Sequence, residues 1–589
     1  MKRTVRLIVP ILVLFGIAAA SAGGAGADKR IPRLQKKNLK AVTADLRSGI
    51  PVLMSKAKIP GLQIAIVRDG KVAWQHGFGV RNAQTGLPVT NEILFEAASL
   101  TKPFFAYAVM KMVDEGLIDL ARPLHSYFSR EEIEKGLGHS LDAPGFKRDW
   151  FERITIRHVL SHSGGLPHGE RGDVFPIFFE PGTKWKYSAD GYEFLQYAVE
   201  KLKGEKLDAI MQKYVLDPLG MTRSGMVWRP SFEEVMANGH SVFGTPQGVR
   251  KYAEASAAAS LYTTAGEYAR FVCAVLNGEG LKPATAKEML TSFIDMKDDK
   301  SLGWSLGFGL QNDRNGTAFW QWGDYGIFRN YVIGYPKQKT AVVYLTNSFN
   351  GLSVCADVVR RSVGGQSLGS AELNYRPYDA PFYTLLWGAK QGGPERVRAI
   401  LPELHRKNPD ALNWETLGGI AGLLSDEGLT QEAVPVYEYI AKGNPGSGRA
   451  AFELARACAL LGRFDAAREH YREAEKAGED KVDPKSIAWD LDYLQAAERP
   501  FPLDEEYQQK LVGEYEVRQI SLKDGQLYYF RVGGTAAGPR PLLALSKDTF
   551  FIQGTVYFRI KLEFDESGRP IKLVGLYDDG RRDENKRTR

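Results

Sequence analysis

The chain has 589 residues, of which 44% are apolar and 25% charged, and these proportions are ordinary for a soluble globular protein. A chain of this length is too long to fold around a single hydrophobic core, so we predict about three or four domains. The net charge of +7 is modest and no basic stretch is interleaved with aromatic residues, which argues against nucleic acid as a partner. The cysteines are too few and too far apart for a disulfide framework or a metal cluster: Cys273, Cys355 and Cys458.

The first 27 residues have the pattern of an export signal. Three basic residues precede an apolar stretch at 7–20, and small residues suited to cleavage follow at 20–22 and 25–27. We therefore predict a signal peptide over residues 1–27 and a mature protein in the periplasm or outside the cell. An uncleaved segment would instead serve as a membrane anchor.

Residues 61–80 contain two alternating apolar runs on either side of Asp69-Gly70. Alternation with a period of two is typical of half-buried strands, and Asp-Gly is a favoured hairpin turn. The pattern therefore predicts a β-hairpin near the start of the folded chain.

A serine and a lysine three residues apart, Ser99 and Lys102, stand before an apolar run with helical spacing. If Ser99 opens that helix, the Lys102 amine lies one turn further on the same face and reaches the serine hydroxyl. A serine hydroxyl needs a base beside it, and a lysine serves as that base only if its pKa is lowered. Without such a change, the pair is an N-cap serine with a solvated lysine.

The wider phrase favours catalysis. Residues 95–124 read FEAASLTKPFFAYAVMKMVDEGLIDLARPL, which resembles the nucleophile segment of the class C β-lactamase-like serine hydrolases, a superfamily of β-lactamases, DD-peptidases, D-amino-acid peptidases and esterases. The resemblance implies an α/β β-lactamase-like domain over residues 36–365, an antiparallel sheet flanked by helices, with the hairpin at its opening. It also implies an acyl-enzyme on Ser99.

Residues 154–167, ITIRHVLSHSGGLP, resemble a phrase of the same family that forms a wall of the active site. His158 and His162 are one helical turn apart and His168 follows, which raises the question of a metal. No glutamate follows His158 and no supporting carboxylate pattern is visible, so we interpret these histidines as structural.

A Pro-Gly turn at 181–182 leads into Tyr187. By matching position, the resemblance implies that Tyr187 exchanges protons with Ser99 or with the leaving group, while Lys102 holds it in a low-pKa state. The alternative is a tyrosine that only packs by its ring. The family's asparagine two residues later is Ala189 here, which weakens the recognition of amide substrates and the turnover of β-lactams.

The third family element, a strand with Lys/His-Thr/Ser-Gly, corresponds to Gln321, Trp322 and Gly323. The first two changes remove groups that bind a substrate carboxylate in the family. Gly323 is retained and lets a substrate approach the backbone closely. We predict that Ala189 and these three residues line the substrate site, with a buried core position as the alternative for Trp322.

The backbone N–H groups of Ser99 and Asp324 are the implied oxyanion hole, which side-chain changes cannot remove. The implied order is attack by Ser99, a tetrahedral intermediate, an acyl-enzyme, and hydrolysis by water activated through Tyr187 and Lys102. We expect no metal and no organic cofactor.

Helical periodicity dominates residues 380–497, where small and aromatic positions recur after 34 residues. This period resembles tetratricopeptide repeats, an all-α arrangement of paired helices, with flanking helices at 395–404 and 486–497. The repeats either dock a peptide or protein partner or act as a spacer. The matching positions are Ala421, Gly428, Ala433 and Tyr437, then Ala455, Gly462, Ala467 and Tyr471.

From residue 505 to 580 the pattern changes to a period of two, with strands at 511–517, 526–531, 549–552, 556–560 and 572–576. A meander of about seven or eight strands predicts a small all-β barrel or half-barrel. It resembles the lipocalin-like module appended to many of these hydrolases, and its aromatic residues are expected in the core. Residues 581–589 are interpreted as a loose basic tail.

These observations predict an exported serine hydrolase that acts on ester or amide bonds of small molecules or peptides, with a preference for esters. Two other functions are compatible with the same site residues. One is a D-amino-acid or DD-peptidase that acts on cell-wall peptides. The other is a non-catalytic penicillin-binding-like sensor that signals through its repeats.

Overall fold

The computed structural model describes residue 34, residues 38–531 and residues 538–589. The predicted signal peptide over residues 1–27 lies outside the described residues. The described chain divides into two compact units, one that ends at Tyr378 and one that begins at Asp379. No helix in the described ranges is both long enough and apolar enough to cross a membrane.

The helices of the first unit are α1 (Leu39–Ala57), α2 (Thr101–Asp114), α3 (Arg130–Leu137), α4 (Arg148–Arg153), α5 (Ile156–Leu160), α6 (Ala189–Lys203), α7 (Leu207–Met211), α8 (Ala265–Asn277), α9 (Pro283–Met289), α10 (Cys355–Ser362) and α11 (Leu368–Glu372). Its strands are β1 (Gly61–Arg68), β2 (Lys71–Gly79), β3 (Phe95–Glu96), β4 (Tyr262–Thr263), β5 (Ile294–Asp295), β6 (Leu302–Trp304), β7 (Gly309–Asp313), β8 (Gly316–Asp324), β9 (Arg329–Tyr335) and β10 (Thr340–Thr346).

Eight of these described strands form one antiparallel sheet in the order β2-β1-β10-β9-β8-β7-β6-β5. The predicted hairpin is confirmed as β1 and β2. Asp69 and Gly70 both have positive φ, 51° and 69°, as a tight hairpin turn requires. Because β1 pairs with β10, the beginning and the end of the unit lie side by side. The long segment between β2 and β5, which carries helices α2 to α9, separates the first two strands of the sheet from the others along the chain.

The sheet buries both of its faces. Side chains alternate along β8, so that Phe319 belongs to one apolar cluster while Trp320 and Trp322 belong to the other. Helices α2 and α8 contribute to the first cluster, and α1 and α10 to the second. The predicted α/β class with helices flanking an antiparallel sheet is confirmed, and the turn before α2 contacts β8.

In the second unit, the helices are α12 (Pro381–Lys407, with a break at Gly393), α13 (Trp414–Asp426), α14 (Thr430–Gly443), α15 (Gly448–Leu460), α16 (Phe464–Lys476), α17 (Pro484–Glu498) and α18 (Glu505–Leu511). The predicted repeat corresponds to the pairs α13–α14 and α15–α16. Gly428 and Gly462, with φ of 76° and 72°, make the turn inside each pair. The four repeated alanines are fully buried where the helices meet: Ala421, Ala433, Ala455 and Ala467.

Eight described strands form the predicted all-β module as a consecutive meander: β11 (Gly513–Tyr515), β12 (Arg518–Lys523), β13 (Gln526–Arg531), β14 (Arg540–Ala544), β15 (Thr549–Ile552), β16 (Thr555–Phe564), β17 (Pro570–Tyr577) and β18 (Arg582–Lys586). A bridge between Tyr515 and Arg587 brings the first and last strands together, so the barrel is nearly closed.

Two expectations for this module are wrong. Leu511 ends helix α18 instead of opening a strand, because the segment from Glu505 is capped by Asp504. Residues 581–589 are not a loose tail. They supply β18, whose residues pair with β17, and the Thr588 N–H donates to the carbonyl of Glu514 at 2.7 Å. Unpaired edges of β11 and β17 explain why so polar a segment becomes a strand.

The repeats pack against the barrel through α15 and α17. Trp489 Nε1 donates to the carbonyl of Val556 at 2.7 Å, and the guanidinium of Arg559 lies 3.8 Å above the Trp489 ring. Arg456 binds the carboxylate of Asp490 with two hydrogen bonds, of 2.6 and 3.0 Å, and that of Asp578 with one of 2.7 Å. Part of the repeat surface is therefore already covered within this unit.

Replacing Arg456 by methionine is expected to lower the free energy of unfolding by about 3–5 kcal/mol, because Asp490 is 0% exposed and would be left as an unpaired buried carboxylate. Urea unfolding of the full chain measures this change. Arg398→Met, which breaks an exposed ion pair with Glu438 in the same unit, is the matched control and should cost less than about 1 kcal/mol. Equal losses in the two variants would contradict the prediction.

Candidate active site

Ser99 lies in a 3₁₀ turn, Ala98–Leu100, that leads directly into α2. Ala98 has a φ of +50°, a left-handed conformation that residues other than glycine seldom adopt. The Thr101 hydroxyl donates to the Ala98 carbonyl at 2.7 Å and holds the turn in this shape. Strain of this kind is concentrated at functional sites, and here it fixes the position from which the Ser99 side chain leaves the backbone.

Lys102 follows one turn later and is buried, with 1% of its surface exposed. Its Nζ lies 3.1 Å from Ser99 Oγ and 2.9 Å from the carbonyl oxygen of Ala258. Burial lowers the pKa of Lys102 from 10.5 to about 7, against the charges of Glu193 and Asp190, which raise it. A neutral amine that donates to Ala258 keeps its lone pair for the Ser99 proton. The amine therefore meets the condition for a general base near neutral pH.

Tyr187 packs over this pair, and Lys102 Nζ is 4.8 Å from the centre of its ring. Gln321 Nε2 donates to the Tyr187 hydroxyl at 3.1 Å, and the Ser99 side chain also bonds to that hydroxyl. Desolvation raises the pKa of Tyr187 above its ordinary value, and these two hydrogen bonds only partly oppose the rise. The low-pKa tyrosine implied by the resemblance is therefore wrong for this chain. Tyr187 is a neutral phenol that can relay a proton.

Gln321 connects the tyrosine to the nucleophile turn. It is 0% exposed, and its Nε2 also donates to the carbonyl oxygen of Ser99 at 3.0 Å. An amide nitrogen has two hydrogens, so both are used within the protein. We predicted from the sequence that Gln321 binds substrate, whereas the structure places its amide nitrogen on Ser99 and Tyr187.

Gly323 lies where β8 meets the nucleophile turn. A Cβ atom added to Gly323 would lie 2.2 Å from the carbonyl oxygen of Ala97, far inside contact distance. On β9, Asn330 Nδ2 donates to the carbonyl of Glu96 at 2.9 Å and holds the same segment. We predicted that Gly323 lets a substrate approach the backbone, whereas the group that lies close to it in the structure is the protein's own backbone, two residues before Ser99.

Asp324 supplies the second backbone N–H of the predicted oxyanion hole. The next N–H along the strand, that of Tyr325, donates across to Phe328 at 3.0 Å. Because successive N–H groups point to opposite edges of a strand, that of Asp324 points away from β9. On that edge β7 ends its pairing at Trp320, and the turn of Ser99 contacts β8.

The Asp324 carboxylate keeps this part of the chain in place. Arg329 Nε donates to it at 3.1 Å and the Tyr375 hydroxyl at 2.6 Å. The Gly326 N–H donates to the same carboxylate at 2.6 Å and closes the turn after β8. The backbone of the oxyanion position is therefore fixed from three sides.

Trp322 is only 8% exposed and lies within the second apolar cluster. Its ring packs on that of Tyr187, with 4.6 Å between the centroids, and on the rings of Trp304 and Trp320. The structure thus places Trp322 in the core that supports Tyr187, which is the alternative that the sequence had left open.

The three histidines lie in different surroundings, and the described residues contain no cluster of ligands that could hold a metal. His158 Nδ1 accepts the N–H of Thr155 and caps a helix. His162 is buried and its Nδ1 accepts the N–H of Ser188 at 3.1 Å. His168, however, is exposed beside Tyr187, with 5.3 Å between the ring centroids. The structural interpretation fits the first two.

Sequence reasoning missed several residues of this site. The carbonyl of Ala258 and the amide of Asn330 belong to segments that carry no motif, and Tyr375 lies beyond the predicted end of the domain. Such partners are supplied by chain segments far away in sequence. Only their positions in the fold reveal them.

Comparison with known protein families gives the same domain division as the fold. A model of the beta-lactamase family matches residues 44–361, and a tetratricopeptide repeat model matches residues 424–485. The chain belongs to the beta-lactamase family, a family of serine hydrolases that includes β-lactamase, esterase and DD-peptidase types.

The relatives differ in what they are named for. An unguisins hydrolase of Aspergillus violaceofuscus is 28% identical over 38% of this chain and 43% of its own length. Penicillin-binding protein 4* of Bacillus subtilis is 22% identical over 51% and 71%. Esterase EstB of Burkholderia gladioli is 25% identical over 30% and 49%. The chain thus spans less than half the length of two of these relatives.

Among solved structures, a D-alanine carboxypeptidase of Burkholderia cenocepacia is 22% identical, covers 53% of this chain and 95% of its own, and has a TM-score of 0.45.

Proposed function

We propose that this protein is an exported serine hydrolase that forms an acyl-enzyme on Ser99 and hydrolyses esters of small molecules or peptides. The observation that carries the proposal is the buried Lys102 amine, 3.1 Å from Ser99 Oγ and bound on its other side by the carbonyl of Ala258. A lysine that is only structural or solvated would pair with a carboxylate or with water. This amine instead lies against a serine hydroxyl and a backbone carbonyl.

The proposed reaction proceeds through two acyl transfers. Lys102 takes the Ser99 proton as Oγ attacks the ester carbonyl, and the N–H groups of Ser99 and Asp324 bind the resulting oxyanion. Collapse of this intermediate breaks the bond to the alcohol, whose oxygen receives the proton through the Tyr187 hydroxyl. Water then passes a proton through Tyr187 to Lys102 and attacks the acyl carbon. Collapse of this second intermediate breaks the bond to Ser99 Oγ, which takes that proton from Lys102, and the acid leaves.

The preference for esters rests on the groups around the reacting atoms. Ala189 has no amide, Gln321 is neutral with both amide hydrogens engaged, and Trp322 is buried. None of them offers the cation or hydroxyl that would bind the carboxylate of a β-lactam or of a cell-wall peptide. The esterase among the relatives supports the same preference.

Export is part of the proposal and is supported by the pattern of residues 1–27 alone. The repeats offer a surface for a protein partner, since tetratricopeptide repeats often mediate protein interactions.

The proposal is tested by intact-protein mass after exposure to a fluorophosphonate probe and to a fluorescent penicillin, together with turnover of p-nitrophenyl esters. We expect one fluorophosphonate adduct, ester turnover and no stable penicillin adduct. Both the adduct and the turnover should be lost in Ser99→Ala. They should persist in Ser292→Ala, which removes an exposed serine of the same unit.

Other outcomes would point elsewhere. A penicillin adduct that persists for hours would favour the DD-peptidase or the sensor over the esterase. The absence of any adduct on folded protein would exclude the hydrolase and leave the repeats as the functional part.

A further inference from the structure

The side-chain amide of Gln321 has a fixed orientation. Gln321 lies on β8 and is buried, and one end of its amide is 3.0 Å from the carbonyl oxygen of Ser99. A carbonyl oxygen only accepts hydrogen bonds, so the amide atom beside it must be the nitrogen. The same nitrogen lies 3.1 Å from the hydroxyl oxygen of Tyr187. Gln321 therefore donates to Tyr187 and cannot accept from it.

This bond determines where the hydrogen of the Tyr187 hydroxyl points. Because the hydroxyl oxygen accepts from Gln321, its own hydrogen is left to be donated, and its other hydrogen-bond partner is the side chain of Ser99. The Ser99 hydroxyl in turn lies 3.1 Å from Lys102 Nζ, which donates to the Ala258 carbonyl on its other side. With Lys102 neutral, the hydrogens of both hydroxyls point toward its amine.

The direction matters when the alcohol leaves. Ser99 gives its hydrogen to Lys102 as it attacks, and the Tyr187 hydrogen then becomes available to the leaving oxygen. The bond between the carbonyl carbon and the alcohol oxygen breaks, and the alcohol takes the Tyr187 hydrogen. The Gln321 N–H stabilises the negative charge that develops on the Tyr187 oxygen. The Lys102 ammonium then returns a proton to that oxygen.

We propose that Gln321 is the positioning residue that makes Tyr187 the proton donor to the leaving alcohol, and that the protein therefore hydrolyses esters of ordinary alkyl alcohols. An alkoxide is a poor leaving group and needs a proton as its bond breaks, whereas an activated phenolate leaves without one. A tyrosine whose hydrogen pointed away from Ser99 would serve only the second kind of ester. This inference rests on the proposed function.

Two esters of one acid test it, ethyl butyrate and p-nitrophenyl butyrate. They share the acyl group, so they form the same acyl-enzyme and differ only in the group that leaves. Gln321→Met is expected to lower kcat/KM for the ethyl ester, relative to that for the p-nitrophenyl ester, about tenfold or more, because a hydrogen bond to a developing charge is lost. Loss of the bond to the Ser99 carbonyl affects both esters alike and cancels in this ratio.

Two further variants make the result specific. Tyr187→Phe has no hydroxyl to orient, so adding Gln321→Met to it should change the ratio by less than about twofold. Gln311→Met is the matched control, because Gln311 is also buried, on the neighbouring strand β7, and its Nε2 donates to the carbonyl of Gln366 at 2.8 Å. This control should leave the ratio unchanged.

The two proposals fail in distinguishable ways. Hydrolysis of p-nitrophenyl butyrate without hydrolysis of ethyl butyrate would overturn the inference and leave the proposed function standing. So would an equal loss of both activities in Gln321→Met, which would show that Gln321 only holds the turn of Ser99. If the wild-type protein hydrolyses neither ester, the proposed function itself is overturned.

Discussion

Replacing Lys102 by methionine is expected to lower kcat/KM for a p-nitrophenyl ester by about 10⁴-fold, because the general base for Ser99 is lost. The wild-type protein should lose activity as the pH falls below about 7, where Lys102 becomes protonated. The residual activity of the variant should lack this step. Initial rates between pH 5 and 9 measure both effects.

The same replacement is expected to stabilise the fold. With a pKa of about 7 in the folded protein and 10.5 as its ordinary value, the buried amine costs about 5 kcal/mol at pH 7 and below. Loss of the hydrogen bond to Ala258 takes back about 1–3 kcal/mol. We therefore expect Lys102→Met to raise the free energy of unfolding by about 2–4 kcal/mol, as measured by urea unfolding.

This gain should depend on pH in one direction. Between about pH 7 and 10.5 the unfolded chain binds a proton at Lys102 that the folded chain lacks, so the wild-type protein becomes more stable as the pH rises. The advantage of Lys102→Met should therefore be constant below pH 7 and shrink above it. An advantage that grows with pH would contradict the assignment.

Lys111→Met is the matched control. Lys111 lies on the same helix, and its Nζ donates to the carbonyl of Tyr214 at 2.8 Å, but it does not contact Ser99. Its replacement should leave kcat/KM within about twofold. Activity of Lys102→Met within tenfold of the wild type, with the same pH profile, would exclude Lys102 as the base.

Replacing Gly323 by alanine is expected to lower kcat/KM about 10²-fold or more. The new Cβ atom would lie 2.2 Å from the carbonyl oxygen of Ala97, so β8 and the nucleophile turn must separate by about 1 Å. That separation displaces the N–H groups of Ser99 and Asp324 from each other. The cost in the free energy of unfolding should be about 1–3 kcal/mol. Ester kinetics and urea unfolding measure the two effects.

Gly136→Ala distinguishes this effect from a general cost of losing a glycine. Gly136 lies on α3 in the same unit, and a Cβ atom there meets nothing within 4 Å. Its replacement should leave activity unchanged and slightly favour the helix. Full activity of Gly323→Ala at wild-type stability would show that the two backbones are not in close contact.

The main residues of the site could be predicted because each lies in a short phrase of its own. Ser99 and Lys102 are neighbours on one helix, and their spacing alone brings the two side chains together. Tyr187 follows a Pro-Gly turn, and the repeats are recognised from the fixed spacing of their small and aromatic residues. Local spacing and periodicity can be read directly from the sequence, without any knowledge of the fold.

Only the tertiary structure decided how these residues behave. The pKa of Lys102 depends on burial by segments more than 80 residues away, among them that of Ala258 and the helix of Glu193. Desolvation likewise made Tyr187 a neutral phenol instead of a low-pKa one. Desolvation is a property of the assembled surroundings, so no pattern along the chain encodes it.

The same reason explains the remaining differences. Gly323 was predicted to allow a close approach, but its partner, Ala97, is 226 positions earlier in the sequence, as the two residue numbers show. Residues 581–589 are polar and charged, and they supply a strand because their backbone pairs with the otherwise unpaired edge of β17. The sequence by itself determined the fold class and the spacing that brings Ser99 and Lys102 together. The tertiary structure decided the ionisation of these side chains and the groups that support them, because both depend on groups that meet only when distant segments pack together.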